Sequence, residues 1–298
     1  MWGSRQLLCP CTRRKSVRTS RLRSLLSMTV LLVGIAARLH ASSSDGVPAA
    51  NELLREVVDN ELKAQAQDHS HWKYQSTSHA SGKEITKEVI QSKDGEIEGL
   101  LSINGQHLQP AEERSEEQRI QKLVKNPQQE RKRQRDQAQD AQKTEHLFRV
   151  LPHALIASYG ERKAELTELD FKPNPSFRPS SHEEQVFHAL EGKIWVNTKE
   201  NRLAQIDGHL IESVKFGGGL LGHLDKGGRF QVRQSQVAPG HWDITLMHIE
   251  MSGKALFFKI IAVRQDESRG SFQRVPDNLT LDQAAAELRE DINKAKHR

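Results

Sequence analysis

The sequence predicts a mainly β (α+β) protein, a curved and incompletely closed antiparallel sheet covered by inserted helices. Three observations lead there. Between Gly192 and Val263, short apolar-rich runs alternate with Asn, Asp and Gly turns, the pattern of antiparallel strands recurring roughly every eight to twelve residues. A shorter set of the same kind occupies Trp72–Ile103. Pro110–Leu155, which separates them, is Glu, Gln, Arg and Lys with few apolar residues, a composition suited to helices.

The first 41 residues carry eight basic side chains (Arg5, Arg13, Arg14, Lys15, Arg18, Arg21, Arg23 and Arg38) and no acid, and Leu25–Ala37 is an apolar run of 13 residues. A basic segment, an apolar run of that length and small residues after it describe a secretory signal peptide. The run is shorter than the ~20 apolar residues of a spanning helix. Cleavage is expected near Ala41, leaving residues 42–298 as a single exported domain with a charged helical insertion at about 110–156. Removing the leader turns the formal charge from +5 to −3, so the basic balance gives no argument for nucleic acid. Cys9 and Cys11, the two cysteines of the chain, also lie in the leader. The exported part therefore has no disulfide framework, thiol nucleophile or thiolate metal site.

Ala50–Gln67 places Leu53, Leu54, Val57, Val58 and Leu62 at helical spacing. Trp72–Ser78, Glu84–Gln91 and Ile97–Ile103 read as a meander turned at Ser81-Gly82 and Asp94-Gly95, with Asn104-Gly105 after it. In the charged stretch, Asn126-Pro127 breaks the helix, because proline disfavours the helical conformation before it. Ala164–Lys172 reads as a strand, and Pro173–Pro179 as a stiff link. Ser181–Leu190 is a short helix or turn. Strands are then expected at Lys193–Thr198, Arg202–Ile206, Leu210–Phe216, Arg229–Gln234, Trp242–Glu250 and Ala255–Val263. Asp207-Gly208, Pro239-Gly240 and Ser252-Gly253 are read as turns, and residues 264–279 as a polar loop. Thr280 caps a last helix, Leu281–Lys296.

Motifs for chemistry are sparse. Gly217–Gly228 is glycine-rich, but Lys226 precedes glycine and a strand follows, so it lacks the lysine-hydroxyl pair and trailing helix of a phosphate loop. His69, His71 and His79, and His223, His241 and His248, have no metal-ligand spacing. No Gly-x-Ser-x-Gly elbow is present. Asn278-Leu279-Thr280 fits a glycosylation acceptor. No catalytic residue, metal or cofactor is expected.

Two groups remain as candidates. Trp195, Phe216, Leu220, Leu221, Phe230, Trp242, Leu246 and Phe258 are the large apolar residues of the main sheet. They fill its core or, where the concave face is too wide to fill, line a pocket for an apolar ligand. Arg119, Lys122, Lys125, Arg131, Lys132, Arg133 and Arg135 form a basic run interrupted by one acid, Glu130. It is either a solvated helix face or a surface for a protein partner or an anionic membrane.

The stretch Ile194–Gly208, an apolar strand, a polar turn and a strand returning as Arg202-Leu203, resembles a recurrent hairpin of the lipoprotein-carrier family. Phe216-Gly217-Gly218-Gly219 continues the likeness. That family comprises periplasmic lipoprotein chaperones and outer-membrane lipoprotein receptors. The resemblance implies a half-closed sheet whose hollow takes acyl chains under inserted helices. It covers most of the exported chain in architecture, and about Gly192–Lys259 in pattern. The function expected is that of a non-enzymatic, periplasmic binding protein for an acyl chain, lipid or lipidated protein, with peripheral membrane contact. A cell-envelope scaffold with a filled core and a hydrolase with an unreadable site are the alternatives.

Overall fold

A computed structural model of the chain describes residues 49–298 except 81, 220, 256–258 and 296–298, and without the side chains of 80, 127–131, 255, 259–262 and 295. The expected leader lies outside the described residues. Val47–Arg298 forms one compact unit.

Helix α1 (Ala50–Gln67) buries Leu53, Leu54, Val57 and Val58, the stripe its spacing foretold. Strands β1 (His71–Ala80), β2 (Lys83–Ser92) and β3 (Gly95–Ile103) form the meander, closed by the two-residue β4 (Gln106–His107). Helix α2 (Pro110–Lys125) starts with a capping box between Gln109 and Glu112 and ends before Pro127, where α3 (Pro127–Ala154) begins. Then come β5 (Leu155–Lys163), β6 (Leu166–Pro173), a 3-10 helix at Glu183–Ala189, β7 (Leu190–Asn197) and β8 (Arg202–Leu210). Short β9 (Val214–Phe216) and β10 (Gly222–Leu224) precede three long strands, β11 (Arg229–Ala238), β12 (His241–Ala255) and β13 (Lys259–Val275). Helix α4 (Leu281–Ala295) ends the described chain. It opens with Thr280 and Gln283 bonded to each other's backbone N–H.

All pairings are antiparallel, in the order β4-β3-β2-β1-β13-β12-β11-β8-β7-β6-β5, with β10 and β9 attached beside β12. Among the described residues the sheet has 13 strands and is not closed. The β1–β13 pairing joins the early meander to the last strand.

Four expectations are corrected. Residues 155–156, expected within the helical insertion, and 157–163, given no element, together form β5, an edge strand whose Glu161-Arg162-Lys163 run keeps that edge charged. Asp207-Gly208 is strand, not turn. Phe171, Gly192, Gly208 and Phe230 stand in one cross-strand row, and a Cβ on Gly208 would lie 2.4 Å from the Phe230 ring. Ser252-Gly253 is also strand; a Cβ on Gly253 would meet the His223 carbonyl at 2.1 Å, so the glycine admits the backbone of β10. The polar loop expected at 264–279 is mostly β13, which runs to Val275.

The register shows that the helices cover opposite faces at opposite ends of the sheet. Ile194 pairs with Ile206, Val232 with Ile206, Met247 with Val232, Glu267 with Met247 and Ser78 with Glu267. These residues share a face, here called inner, and at the β5–β8 end that face packs on α1. The first core comprises Leu54, Val57, Leu151, Leu169, Phe171, Ile194, Val196 and Leu210 among others. Lys73 and Ile90 face the other way, since odd residues of β1 alternate with Ser78. There α4 and α2 build a second core with Ile90, Ile97, Ile120, Val275 and Leu288. A Cβ on Gly99 would lie 2.9 Å from Leu288, so the glycine lets α4 lie close.

Candidate functional site

On the inner face α1 and α3 make a V. They meet over the start of β5, where the Asn51 side chain donates to the carbonyls of Pro152 (3.2 Å) and Leu155 (2.9 Å) and accepts from Ala157 N–H (2.8 Å). At the other end of the strands they part. Helix α1 ends at the β7–β8 hairpin and the start of β12, through Asn60 to the Asn201 carbonyl (2.7 Å), Glu61 to Arg202 (2.7 Å) and Asp68 to His241 (2.8 Å). Helix α3 starts at the β2–β3 hairpin, where Arg133 and Gln134 donate to the carbonyls of Glu96 and Asp94. With 28 residues α3 is about 42 Å long. Residues 137–144, more than two turns, are exposed on every side, so this span does not pack on the sheet.

The floor of the V is the inner face of β11, β12, β13, β1 and β2. Val232, Met247, Ile249 and Met251 form its apolar part and are only half-buried; Val232 and Met251 lie at the edge of the first core and pack against it, and Met247 and Ile249 continue the surface beyond it. Every residue of β12 from His241 to Met251 is half-buried, so neither face of this central strand is sealed.

Towards the mouth the floor is charged. Arg269 bonds Glu267 at 2.7 Å, lies 3.7 Å from Asp243, and stands over the Tyr74 ring at 5.4 Å. Ser76 donates to Glu267 at 3.0 Å. Burial pushes the Asp243 and Glu96 carboxyls up, with the Arg269 charge opposing. Burial acts on Glu267 too, but the hydrogen bond and charge of Arg269, with the Ser76 bond, hold that carboxyl low. The Tyr74 phenol is pushed up by burial and by the charge of Glu96. Trp72 closes the α1 side of the mouth, stacked on His241 at 4.2 Å between ring centres. The arrangement provides an apolar floor with a fixed cationic and anionic border.

The residues expected to line a hollow do not share one. Leu220 and Phe258 lie outside the described residues. Phe230 belongs to the inner face and, with Phe216, packs against the first core. Leu221 is 42% exposed. Leu246, paired with Arg233 and Ser268, faces outward. Trp195 and Trp242 meet in a separate cavity on the outer face. The inner-face residues Val232, Met247, Ile249 and Met251 were not singled out by sequence, although their alternation with charged neighbours was visible.

The basic run divides. Arg119 is fixed by Glu116 (2.8 Å) and the Glu98 carbonyl, and Arg133 by the Glu96 carbonyl, so these two hold helices to the meander. Lys122, Lys125, Lys132 and Arg135 are exposed, and the Arg131 side chain lies outside the description. The glycine-rich loop is a 3-10 turn with positive φ at Gly217, Gly218 and Gly219, followed by β10. His223, His241 and His248 each pair with a different carboxylate: Asp225, Asp68 and Asp266. No group of three or more His, Cys, Asp or Glu among the described residues is placed to hold a metal ion. No described helix is long and apolar enough to cross a membrane. No family model, curated protein or solved structure matches the chain.

Proposed function

We propose that this chain is an exported, non-enzymatic binding protein that holds an apolar or amphiphilic ligand, such as an acyl chain, a lipid or the lipid of a lipidated protein, on the inner face of its sheet beneath α3. The observation that carries this reading is the half-buried apolar floor, Val232, Met247, Ile249 and Met251, under a helix that spans it without packing on it. Covering that floor gains roughly 25 cal/mol per Å² of apolar surface removed from water. The charged mouth favours an amphiphile, its chain on the methionines and its polar head beside Arg269 and Glu267. The exposed Lys122, Lys125, Lys132 and Arg135 suit peripheral contact with an anionic membrane surface.

The test is native mass spectrometry on the protein recovered without detergent after export of the full chain, followed by lipid extraction. Discrete lipid-sized additions are expected in the wild type and absent from a Met247→Lys, Ile249→Lys variant. A clean unliganded mass in the wild type, with no uptake of added fatty acid or phospholipid, would overturn the reading.

A further inference from the structure

The outer face carries a cavity of about 480 Å³, within the roughly 300–1,000 Å³ of small-molecule sites. It lies at the β7–β8 hairpin end. Trp195, Gln205 and Arg233 line it, and each alternates with an inner-face neighbour, Val196, Ile206 or Val232. Leu166 and Ala204 add apolar surface, and Trp242, Gln234, Ser235 and Gln236 complete the wall, next to a register shift between Arg233 and Gln234 in the pairing of β11 with β12.

We propose that this cavity is a binding site for a neutral saccharide. Its chemistry is two indole faces beside side-chain amides and the Arg233 guanidinium, which is bonded to the Gln205 amide oxygen. Indole faces carry the negative end of the ring quadrupole and accept the CH face of an all-equatorial pyranose. Glutamine amides donate and accept at once, as vicinal hydroxyls require. The Trp242 indole is already held in place: the Arg202 guanidinium stands over it at 5.4 Å and is itself fixed to Glu61 by two bonds, at 2.7 and 2.9 Å. The Gln234 Nε2 is buried and has no hydrogen-bond partner among the described residues. A ligand hydroxyl supplies what that donor lacks. An acyl chain would leave it unpaired, which costs free energy. Arg233 donates from Nε to the Gln205 Oε1 at 2.9 Å, and Gln205 Nε2 donates to both oxygens of Asp207, at 3.0 Å each, so a cation and an anion are balanced through one amide at this wall and a neutral ligand fits it. This site is independent of the ligand on the inner face, so either proposal can fail alone.

The test uses the exported protein with cellobiose and N,N′-diacetylchitobiose as probes, followed by titration calorimetry and tryptophan fluorescence. Beyond the leader the chain has three tryptophans, Trp72, Trp195 and Trp242, and Trp72 is 5% exposed, so a change in emission reports the cavity. Saturable binding of at least one disaccharide is expected, weakened roughly tenfold by Trp195→Ala, the factor that a loss of about 1.4 kcal/mol gives. Gln236→Ala, at an exposed position, should weaken binding severalfold with the melting temperature unchanged. No saturable response to either disaccharide would overturn the proposal. So would a response that survives Trp195→Ala and Gln236→Ala, or fatty acid quenching these indoles where the saccharides do not.

Discussion

Glu88→Gln should stabilise the protein above neutral pH and do nothing at acid pH. Glu88 is 7% exposed on β2, facing α4. Around it stand Lys73 from β1 and Glu287 and Asp291 from α4. Lys73 binds Glu287 at 2.7 Å and Asp291 at 2.8 Å, and Lys294 lies 3.3 Å from Asp291. Burial, then the charge of Asp291, pushes the Glu88 carboxyl up to about 7 from 4.5, against the pull of Lys73. Its folded-state value is raised, so the folded protein holds this proton more tightly than the unfolded chain. The contribution of Glu88 is therefore complete below about pH 4.5 and is lost as pH rises through 7. Asp291 has the opposite sign. Burial raises its carboxyl, but the Lys73 and Lys294 contacts outweigh burial and hold it below 3.8, so its contribution fails only as pH falls through that range. The two windows do not overlap. Ionising Glu88 costs on the order of 3 kcal/mol at most, from about 1.4 kcal/mol per pH unit. Glutamine removes that charge and keeps an N–H that can donate to Asp291. The expected gain is about 2 kcal/mol at pH 8, or roughly 4–8 °C in melting temperature for a chain of this size. Urea unfolding of both forms between pH 5 and 8 is the assay, and the difference between them isolates Glu88 from the histidines. A difference that does not change with pH, or a variant less stable at pH 8, would refute the reasoning.

Three further outcomes are expected. Gly192→Ala should cost about 3 kcal/mol or prevent folding, measured by urea unfolding, because its Cβ would lie 1.9 Å from the Asp207 carbonyl oxygen. Glu61→Ala should cost about 3 kcal/mol, because the Arg202 side chain, 14% exposed, loses a two-bond partner and stays charged. It should also change the emission of Trp242, over which that guanidinium stands. Asn51→Ala should cost about 2 kcal/mol and raise amide exchange at Ala157, since three bonds joining α1 to the α3–β5 junction are lost.

Much of the architecture was legible where local rules and long-range packing agree. The α1 stripe, the Asp94-Gly95 hairpin, the break at Asn126-Pro127 and the Thr280 cap all appear where their residue types demand. The misses have separate physical causes. Glycine within a strand reads as a turn when the partner that needs the space, the Phe230 ring at Gly208 or the β10 backbone at Gly253, comes from elsewhere in the sequence. The polar half of β13 reads as a loop because the usual strand signal is one apolar face, and here both faces are polar. Glu267 and Arg269 face inward to Ser76 and Asp243, while Asp266 pairs outward with His248. The charged mouth was illegible for the same reason, since Tyr74, Glu96, Asp243 and Arg269 meet only through sheet order. Trp195 and Trp242 were singled out as large apolar residues, but which face they share depends on strand pairing, which no spacing announces.

The polarity of α3 follows from its place in this fold. The two cores lie on opposite faces, and β12 between them is left half-buried on both from His241 to Met251. A helix laid flat on the inner face would need an apolar stripe along its whole length. Instead α3 is anchored at its ends. Arg133 and Gln134 hold the hairpin carbonyls at one end. Leu151 and Ala154 join the first core at the other. His146 reaches Glu184 of the 3-10 helix at 2.7 Å. Over residues 137–144, between those anchors, the helix meets water on all sides, and a polar sequence is what such a span requires. A charged α3 is thus compatible with an apolar floor below it, because the helix has only to join the two rims of the site, not to cover the ligand with its own side chains.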